Sequence, residues 1–315
     1  MADIKTVATR VAYGEALVEL GKVNNDFLVM DADLAAATQT GKFKAQFPDR
    51  FYDCGIAEQN MMGIAAGIAS TGKKVFVSSF AMFAAGRAFE QIRNSICYPN
   101  LPVIIGATHA GISVGEDGAT HQCLEDIALM RAIPNMTVIN PADAVEAKKA
   151  VFAAIKQDGP VYIRFGRLPI PVIFDDDYKF EIGKASVLRD GKDVTIIATG
   201  LMVNEALKAY DILKDEGISA RVINMATIKP LDTDAVISAA KDTGAIVTAE
   251  EHSVIGGLGS AVSEVVCEEY PVPVFKLGVY DRFGFSGPAA QLLDVFGLRA
   301  ENIVEKAKKA ISLKK

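Results

Sequence analysis

Histidine and cysteine are both scarce in this chain. Its 315 residues include three histidines and four cysteines, and the cysteines (Cys54, Cys97, Cys123 and Cys267) are widely spaced without a C-x-x-C pair. Such spacing disfavours a structural zinc site and is typical of a reducing compartment, so we expect no metal ligands in the chain itself. No run of about 18 apolar residues is present, so we expect no membrane-spanning segment.

Basic clusters are also missing. The net charge is -6, and no dense group of lysines and arginines marks a surface for nucleic acid or anionic lipid. The first residues lack the apolar core of a signal peptide. Half of the residues are hydrophobic, which predicts a globular protein of one large or two ordinary domains. We therefore expect a soluble cytoplasmic protein.

Short apolar runs alternate with helical patterns along the whole chain, which predicts α/β architecture with mainly parallel sheets. Residues 166–183 interrupt the alternation with prolines and an acidic triplet, and this predicts a linker or exposed crossing segment. Strands are expected before it at 27–30, 50–54, 73–80, 102–106, 136–140 and 161–165, and after it at 194–198, 220–224, 245–248 and 272–276.

Glu58 is the first candidate for chemistry. Residues 58–70 have an almost wholly apolar helical pattern, which predicts a helix buried on most faces, with a carboxyl group near its start. A carboxyl group that loses its hydration can hold a proton or share one with a ring nitrogen. An equally good interpretation is a helix N-terminal glutamate partly in solvent, stabilised by the helix dipole.

Residues 107–122, called the site segment below, contain His109, His121 and Asp117 among several glycines. The segment follows an apolar strand, and open α/β sheets bind ligands at the carboxyl ends of their strands. Histidine transfers protons near neutral pH, so this cluster is suited to binding a polyhydroxylated substrate and shuttling protons. The alternative is an exposed polar loop with two incidental histidines.

Three weaker signals accompany these. Phe80 and Phe83 lie three residues apart at a strand-to-helix corner and can form one face of a slot for a flat ring, although ordinary core is the commoner outcome. Arg164 and Arg167 follow a strand and are suited to a phosphate or carboxylate, or to a surface ion pair. The glycine-rich turn at 251–260 is compatible with a phosphate cradle or with close helix packing.

Taken together, these pieces resemble the C-terminal part of transketolase over nearly the whole chain. Several motifs matched in the same order are more specific than any one alone. The matching stretches are 53–61, 78–83, 87–93, 115–122, 163–167, 227–231 and 250–259. The resemblance implies two three-layer αβα domains: a thiamine diphosphate-binding pyrimidine domain at 1–170, a linker at 171–186 and a transketolase C-terminal domain at 187–315.

The resemblance also implies roles around the cofactor. Glu58 matches the catalytic glutamate that bonds the N1' nitrogen of the aminopyrimidine of thiamine diphosphate. Phe80 and Phe83 match aromatic residues that pack on this ring. Asp33 matches an acidic residue near the cofactor at the subunit interface. The aromatic cluster is one member short, with Ala84 or Val77 where some relatives have another ring.

Four further residues match the family's substrate channel. His109, Asp117 and His121 correspond to residues that contact sugar hydroxyls and phosphate, and the two histidines also assist proton transfer. Arg167 corresponds to an arginine that binds the substrate phosphate. Ala37, with Thr38 beside it, stands where relatives have a phosphate-binding serine.

One motif of full-length transketolases, the G-D-G…N magnesium motif of the diphosphate-binding domain, does not occur. The resemblance therefore implies a partner chain, the N-terminal transketolase subunit, which would supply Mg²⁺ and the diphosphate contacts in a heterotetramer. The expected reaction moves a two-carbon ketol unit from a ketose phosphate such as xylulose 5-phosphate to an aldose phosphate such as ribose 5-phosphate, in the pentose phosphate pathway.

Three alternatives remain open at this point. The β subunit of a 2-oxoacid dehydrogenase has this length and domain order, and deoxyxylulose-phosphate synthase has similar domains in a longer chain. A non-catalytic half-protein that only completes another subunit is the third. The site segment favours transketolase, and Glu58 with two nearby histidines argues against a purely structural role.

Overall fold

Two sheets organise the structure, a computed structural model that describes residues 5–314. Its strands are β1 (Thr6–Val7), β2 (Phe27–Asp31), β3 (Phe51–Asp53), β4 (Lys74–Phe80), β5 (Val103–Thr108), β6 (Thr137–Ile139), β7 (Val161–Arg164), β8 (Ile170–Pro171), β9 (Ser186–Arg189), β10 (Val194–Ala198), β11 (Ala220–Asn224), β12 (Thr227–Lys229), β13 (Ile246–Ser253) and β14 (Val274–Val279).

Helices cover both faces of these sheets. They are α1 (Thr9–Val23), α2 (Ala35–Thr38), α3 (Gly41–Gln46), α4 (Glu58–Ala69), α5 (Phe89–Gln91), α6 (Asp126–Ala132), α7 (Ala144–Ala154), α8 (Met202–Asp215), α9 (Thr233–Thr243), α10 (Leu258–Glu269), α11 (Ala289–Val295) and α12 (Ala300–Ser312). Two π-helical stretches, Met82–Arg87 and Ile92–Cys97, flank α5, and 3-10 turns occupy Pro48–Arg50 and Ile112–Asp117.

The first sheet has the order β12-β6-β7-β5-β4-β2-β3, and all its neighbours are parallel except β12 with β6. Every residue of the central strand β5 is buried, as expected for a parallel strand covered on both faces. Helices α1 and α7 pack on one face, and α4, α6 and the π-helical stretches pack on the other. The predicted three-layer arrangement is confirmed for this half.

The second sheet has the order β14-β13-β10-β11-β9, parallel except for β9 against β11. Helices α8, α11 and α12 cover one face and α9 and α10 cover the other. The linker at 166–183 adds β8, which pairs antiparallel with β1. Strand β12 belongs to the second half of the chain but pairs with β6 at the edge of the first sheet. The domain limits at 170 and 187 stay a prediction.

Helix α4 departs from expectation. Met61, Met62 and Ala65 are buried, but Gly63 and Ile64 on the other face are exposed, Ile64 by 41%. The prediction of burial on most faces is therefore wrong within this chain. The reason is that only one face of α4 packs against the sheet, while its outer face carries apolar residues and glycines without a covering element in the described residues.

Glu146 of α7 connects the two halves. Its carboxylate accepts hydrogen bonds from Asn224 Nδ2 of β11 at 2.8 Å, from the Tyr178 hydroxyl at 2.7 Å and from the Ala142 N–H at 2.7 Å. The side chain is fully buried, and burial raises its pKa to about 7, although the three bonds oppose that shift. Ionising this carboxyl group therefore opposes folding.

We predict that Glu146→Gln makes stability less dependent on pH. The folded-state pKa of Glu146 is raised, so its contribution to the free energy of unfolding is lost as the pH rises from 4.5 to about 7. The stability of the variant relative to the unmodified chain should rise by up to about 3 kcal/mol across that window. Urea unfolding at several pH values measures this.

Glu181→Gln, at an exposed position of the linker, is the matched control for loss of one charge. Parallel stability curves for Glu146→Gln and the unmodified chain would contradict the prediction.

Candidate active site

The candidate residues meet at one edge of the first sheet. Strands β2, β3, β4, β5 and β7 run parallel, so their carboxyl ends lie together. The site segment leaves the end of β5, and α4 begins after β3. This is the edge at which open α/β sheets place ligands.

Glu58 is 1% exposed at the start of α4. Its carboxylate accepts a hydrogen bond from the Ser79 hydroxyl at 3.2 Å and forms an ion pair with Arg87 Nη1 at 2.8 Å. Of the two sequence interpretations, the buried one is confirmed. The pairing with Arg87 was not predicted, because 29 residues separate the two and no local pattern links them.

Arg87 and two aromatic rings connect Glu58 to both histidines. The Phe80 ring stacks on His109 with centroids 3.8 Å apart and on Phe83 at 5.7 Å. His121 packs edge-on against Phe83 at 5.2 Å and Phe80 at 6.1 Å. The Arg87 guanidinium lies 4.6 Å from the Phe83 centroid. The structure thus brings together the predicted glutamate, phenylalanines and histidines in one continuous cluster.

His109 is a neutral residue in this cluster. It is 3% exposed, and its Nδ1 lies 2.9 Å from the Thr108 hydroxyl. Its pKa is lowered to about 3, chiefly by burial and also by the positive charges of Arg10 and Arg167 and by the nearby His121. Its backbone has a φ of 56°, which is unusual for a residue other than glycine. His109 can therefore offer a neutral imidazole to a ligand at neutral pH.

Two arginines, Arg10 and Arg167, line a cleft of about 730 Å³, and their charges act on His109. Arg167 is half-buried and donates to the Val114 carbonyl and to Glu116 Oε2 at 3.0 Å. Arg10, which sequence analysis did not single out, donates to the Ala37 carbonyl at 2.6 Å, and its buried Nε has no hydrogen-bond partner among residues 5–314. Burial lowers the pKa of Arg10, and repulsion from Arg167 adds to it. This pair of cations is suited to an anion.

Arg164 has a different role. It is buried, with Nε 2.9 Å from Asp126 Oδ2 and Nη2 2.9 Å from the Glu251 carbonyl. The ion-pair interpretation is therefore correct, but the pair lies in the interior and not on the surface. Arg164 is not available to a ligand.

The remaining candidates differ in their exposure to solvent. Asp33 and Asp117 are exposed, and the backbone N–H of Asp33 donates to Asp53 at 3.0 Å. The Thr38 hydroxyl donates to buried Asp31 at 2.7 Å, so Thr38 does not replace the serine missing at Ala37.

The turn at 251–260 does not act as an open phosphate cradle. The Glu250 carboxylate accepts the backbone N–H groups of Leu258 at 2.7 Å and Gly259 at 2.8 Å, so the chain's own anion occupies the start of α10. Glu250 directly precedes the glycine-rich turn, and this acidic residue is the sequence feature from which the capping of α10 could have been predicted.

Within residues 5–314, no group of three or more histidine, cysteine, aspartate or glutamate side chains is arranged to hold a metal ion. None of the helices in this range is long and apolar enough to cross a membrane. The four cysteines are free.

Comparison with family models assigns both halves of the chain. Residues 5–171 match the pyrimidine-binding domain of transketolase, and residues 183–303 match the transketolase C-terminal domain. Together with the fold and the cluster around Glu58, the matches define a protein of the thiamine diphosphate-dependent class.

Individual relatives agree. The chain is 52% identical to a putative transketolase C-terminal section of Methanocaldococcus jannaschii, over 94% of each chain. It is 45% identical to a 6-deoxy-6-sulfo-D-fructose transketolase subunit of Clostridium sp., over 95% of this chain and 92% of that one. A solved split gene transketolase, described as an inactive β4 tetramer, superposes with a TM-score of 0.91 at 54% identity, covering 99% and 100% of the two chains. The chain belongs to the transketolase family.

We predict that His109 stays neutral through the physiological pH range. Its ring nitrogens should keep the NMR shifts of neutral imidazole down to about pH 5, because its pKa is lowered to about 3. With three histidines in the chain, the signals are assigned by comparing His109→Asn with the unmodified protein. A titration midpoint near 6.5 for His109 would show that its surroundings are not as the structure places them.

Proposed function

We propose that this chain is the C-terminal subunit of a split transketolase, active with an N-terminal partner. It would transfer a two-carbon ketol unit from a ketose phosphate to an aldose phosphate. The observation that carries the proposal is the buried Glu58 carboxylate beside the stacked rings of Phe80 and Phe83 in a chain of this family. Family membership favours ketol transfer over the 2-oxoacid dehydrogenase alternative.

The residues present fit the pyrimidine half of thiamine diphosphate. Glu58 offers a carboxylate for a ring nitrogen, and its oxygens keep acceptor capacity beyond the bonds from Ser79 and Arg87. Phe80 and Phe83 offer flat apolar faces for the ring, and Asp33 lies at the same sheet edge, after β2. When bound, thiamine diphosphate supplies the nucleophilic carbon for cleaving and forming the carbon–carbon bond.

Substrate recognition is assigned to the cleft beside the histidines. His109, which is neutral, would hydrogen-bond sugar hydroxyls together with His121, and both would take part in proton transfer. The exposed Asp117 would contact a further hydroxyl. Arg167, together with Arg10, would bind the substrate phosphate, because their charges lie close together in one cleft. Removing a phosphate group should therefore weaken binding mainly through these arginines.

The partner is inferred from the half-site and from the surface around Glu58. Tyr52, Ile56 and Ile64 are exposed by 50%, 77% and 41%, an apolar surface that a second chain would bury. Relatives named as a section, a subunit or a split gene product support a two-chain enzyme. The partner would carry the Mg²⁺ and diphosphate contacts in a cytoplasmic heterotetramer.

The substrates are proposed as xylulose 5-phosphate and ribose 5-phosphate, in the pentose phosphate pathway. The name of the Clostridium relative specifies another sugar, so donor assays should include 6-deoxy-6-sulfo-D-fructose beside the pentose phosphates. The proposed division of the chain remains 1–170, 171–186 and 187–315.

Glu58→Gln should abolish ketol transfer by the reconstituted complex while leaving assembly intact. A glutamine keeps the volume of the side chain but lacks the charge that a cofactor ring nitrogen requires. Transfer is measured with xylulose 5-phosphate and ribose 5-phosphate, and assembly is measured by analytical ultracentrifugation. Gln59→Glu, at the exposed neighbouring position, is the control. Unchanged turnover in Glu58→Gln would exclude the cofactor role.

Arg167→Met should raise KM for phosphorylated acceptors by about 10- to 100-fold, the loss expected for a charge-assisted bond of about 1.5–3 kcal/mol. The KM for glycolaldehyde, which has no phosphate, should change little. Comparing ribose 5-phosphate with glycolaldehyde in the same complex measures the difference. An equal increase for both acceptors would contradict phosphate binding by Arg167.

A further inference from the structure

One buried side chain of the C-terminal half, Glu251, hydrogen-bonds to the backbone of the site segment. Strand β13 carries Glu250 and Glu251 in succession, both buried, and neighbouring side chains on a strand point to opposite faces. Glu250 caps α10 within its own half, as described above. Glu251 points the other way, into the site segment of the first half.

The Glu251 carboxylate accepts the backbone N–H of Ser113 at 2.5 Å. Gly111, two residues earlier, has a φ of 86°, and a Cβ atom at that position would collide with the same carboxylate. The backbone at 111–113 is therefore fitted closely around Glu251, in a conformation that favours glycine. Burial raises the pKa of Glu251 to about 7, and Arg164 and the hydrogen bond from Ser113 oppose that shift.

The ends of the segment are held at the same place. The Gly111 N–H donates to the Cys123 carbonyl at 2.9 Å, which closes residues 111–123 into a loop. Arg164 donates to the carbonyls of both Cys123 and Glu251. His109 lies two residues before Gly111, outside the loop, and His121 lies two residues before Cys123, inside it. A shift of the loop therefore moves both rings.

We propose that Glu251 is a positioning residue for the active site, through which the C-terminal domain sets the orientation of His109 and His121. The catalytic consequence rests on the proposed function, whereas the positioning itself is a property of this chain alone. Glu251 touches neither the histidine rings nor the cleft arginines in the structure, so it acts through the backbone of the segment.

The first test uses the histidine ring signals of the full chain. Glu251→Ala should shift the NMR signals of His109 and His121, because the Ser113 N–H loses its acceptor. Glu250→Ala is the matched control: it removes an equally buried carboxylate from the next position, and its nearest histidine is His252, 3.6 Å away. The control should shift His252 and leave His109 and His121 in place.

Conservative variants separate positioning from general destabilisation. Glu251→Gln retains an oxygen acceptor for Ser113 and should restore most of the His109 and His121 shifts. If Glu251→Ala does not fold, Glu251→Asp provides the test instead. Its side chain is shorter by one methylene, which retracts the carboxylate, so it should move the signals of the same two histidines. Unmoved His109 and His121 signals in Glu251→Ala, or in Glu251→Asp where Glu251→Ala does not fold, would overturn the proposal, as would equal movement in Glu250→Ala.

In the reconstituted complex, Glu251→Ala should lower kcat/KM for the acceptor by about 10- to 100-fold, the scale of loss for a small misplacement of reacting groups. Thiamine diphosphate affinity, measured by fluorescence titration, should stay within about threefold, since Glu58 and Phe83 do not contact Glu251. If the complex shows no ketol transfer but the ring signals still move, the proposed function fails and the positioning role stands.

Discussion

The buried ion pair between Arg164 and Asp126 is the interaction on which the junction of the two halves depends. Both side chains lie in the interior, and the neighbouring acid raises the pKa of Arg164 against the effect of its burial. Removing charges from water is costly, so such a pair is stable only when further hydrogen bonds satisfy both partners. Here two backbone carbonyls accept from Arg164, and the Tyr162 hydroxyl donates to Asp126 Oδ2 at 2.9 Å. Within residues 5–314, the buried Asp126 Oδ1 has no hydrogen-bond partner.

This pair also orders the active-site edge. Arg164 ends β7, and Asp126 begins α6. The two carbonyls belong to Cys123, directly after the site segment, and to Glu251 of β13. One guanidinium therefore fixes four segments relative to each other, two of them adjacent to Glu251 and His121. Because the interior is close-packed, a displacement at any of these points is transmitted to the others. The contacts of Arg164, which lie outside the cleft, therefore contribute to the rigidity of the site.

The second constraint on the site is the repulsion between positive charges in the cleft. Arg10 and Arg167 repel each other, and their charges add to the burial that lowers the pKa of His109. An anion bound between the arginines would relieve that repulsion, and it would also make protonation of His109 easier. Under the proposed function, a substrate phosphate would bind where the cations already lie, and the imidazole would remain available as a neutral hydrogen-bonding group.

Much of this architecture is encoded locally. Apolar runs predicted β2, β4, β5 and β10 because parallel strands covered on both faces must be apolar throughout. The Glu58 and histidine motifs were recognisable because they are contiguous in the chain. Strand β9 was not predicted because it has exposed positions and polar ends. Arg10 is 157 residues from Arg167 in the sequence, and Glu251 is 138 residues from Ser113, so only tertiary folding reveals those contacts.

Helix α4 shows why a local pattern can mislead. Its sequence is apolar nearly all round, which for an isolated chain predicts full burial. In the structure one face packs on the sheet and fixes Glu58, while the other exposes Ile64 and two glycines. The apolar residues of a helix can include those on a face that only another chain of the assembled protein covers. Under the proposed function, the same helix would therefore hold the cofactor's carboxylate with its inner face and bind the partner subunit with its outer face, which links cofactor binding to assembly.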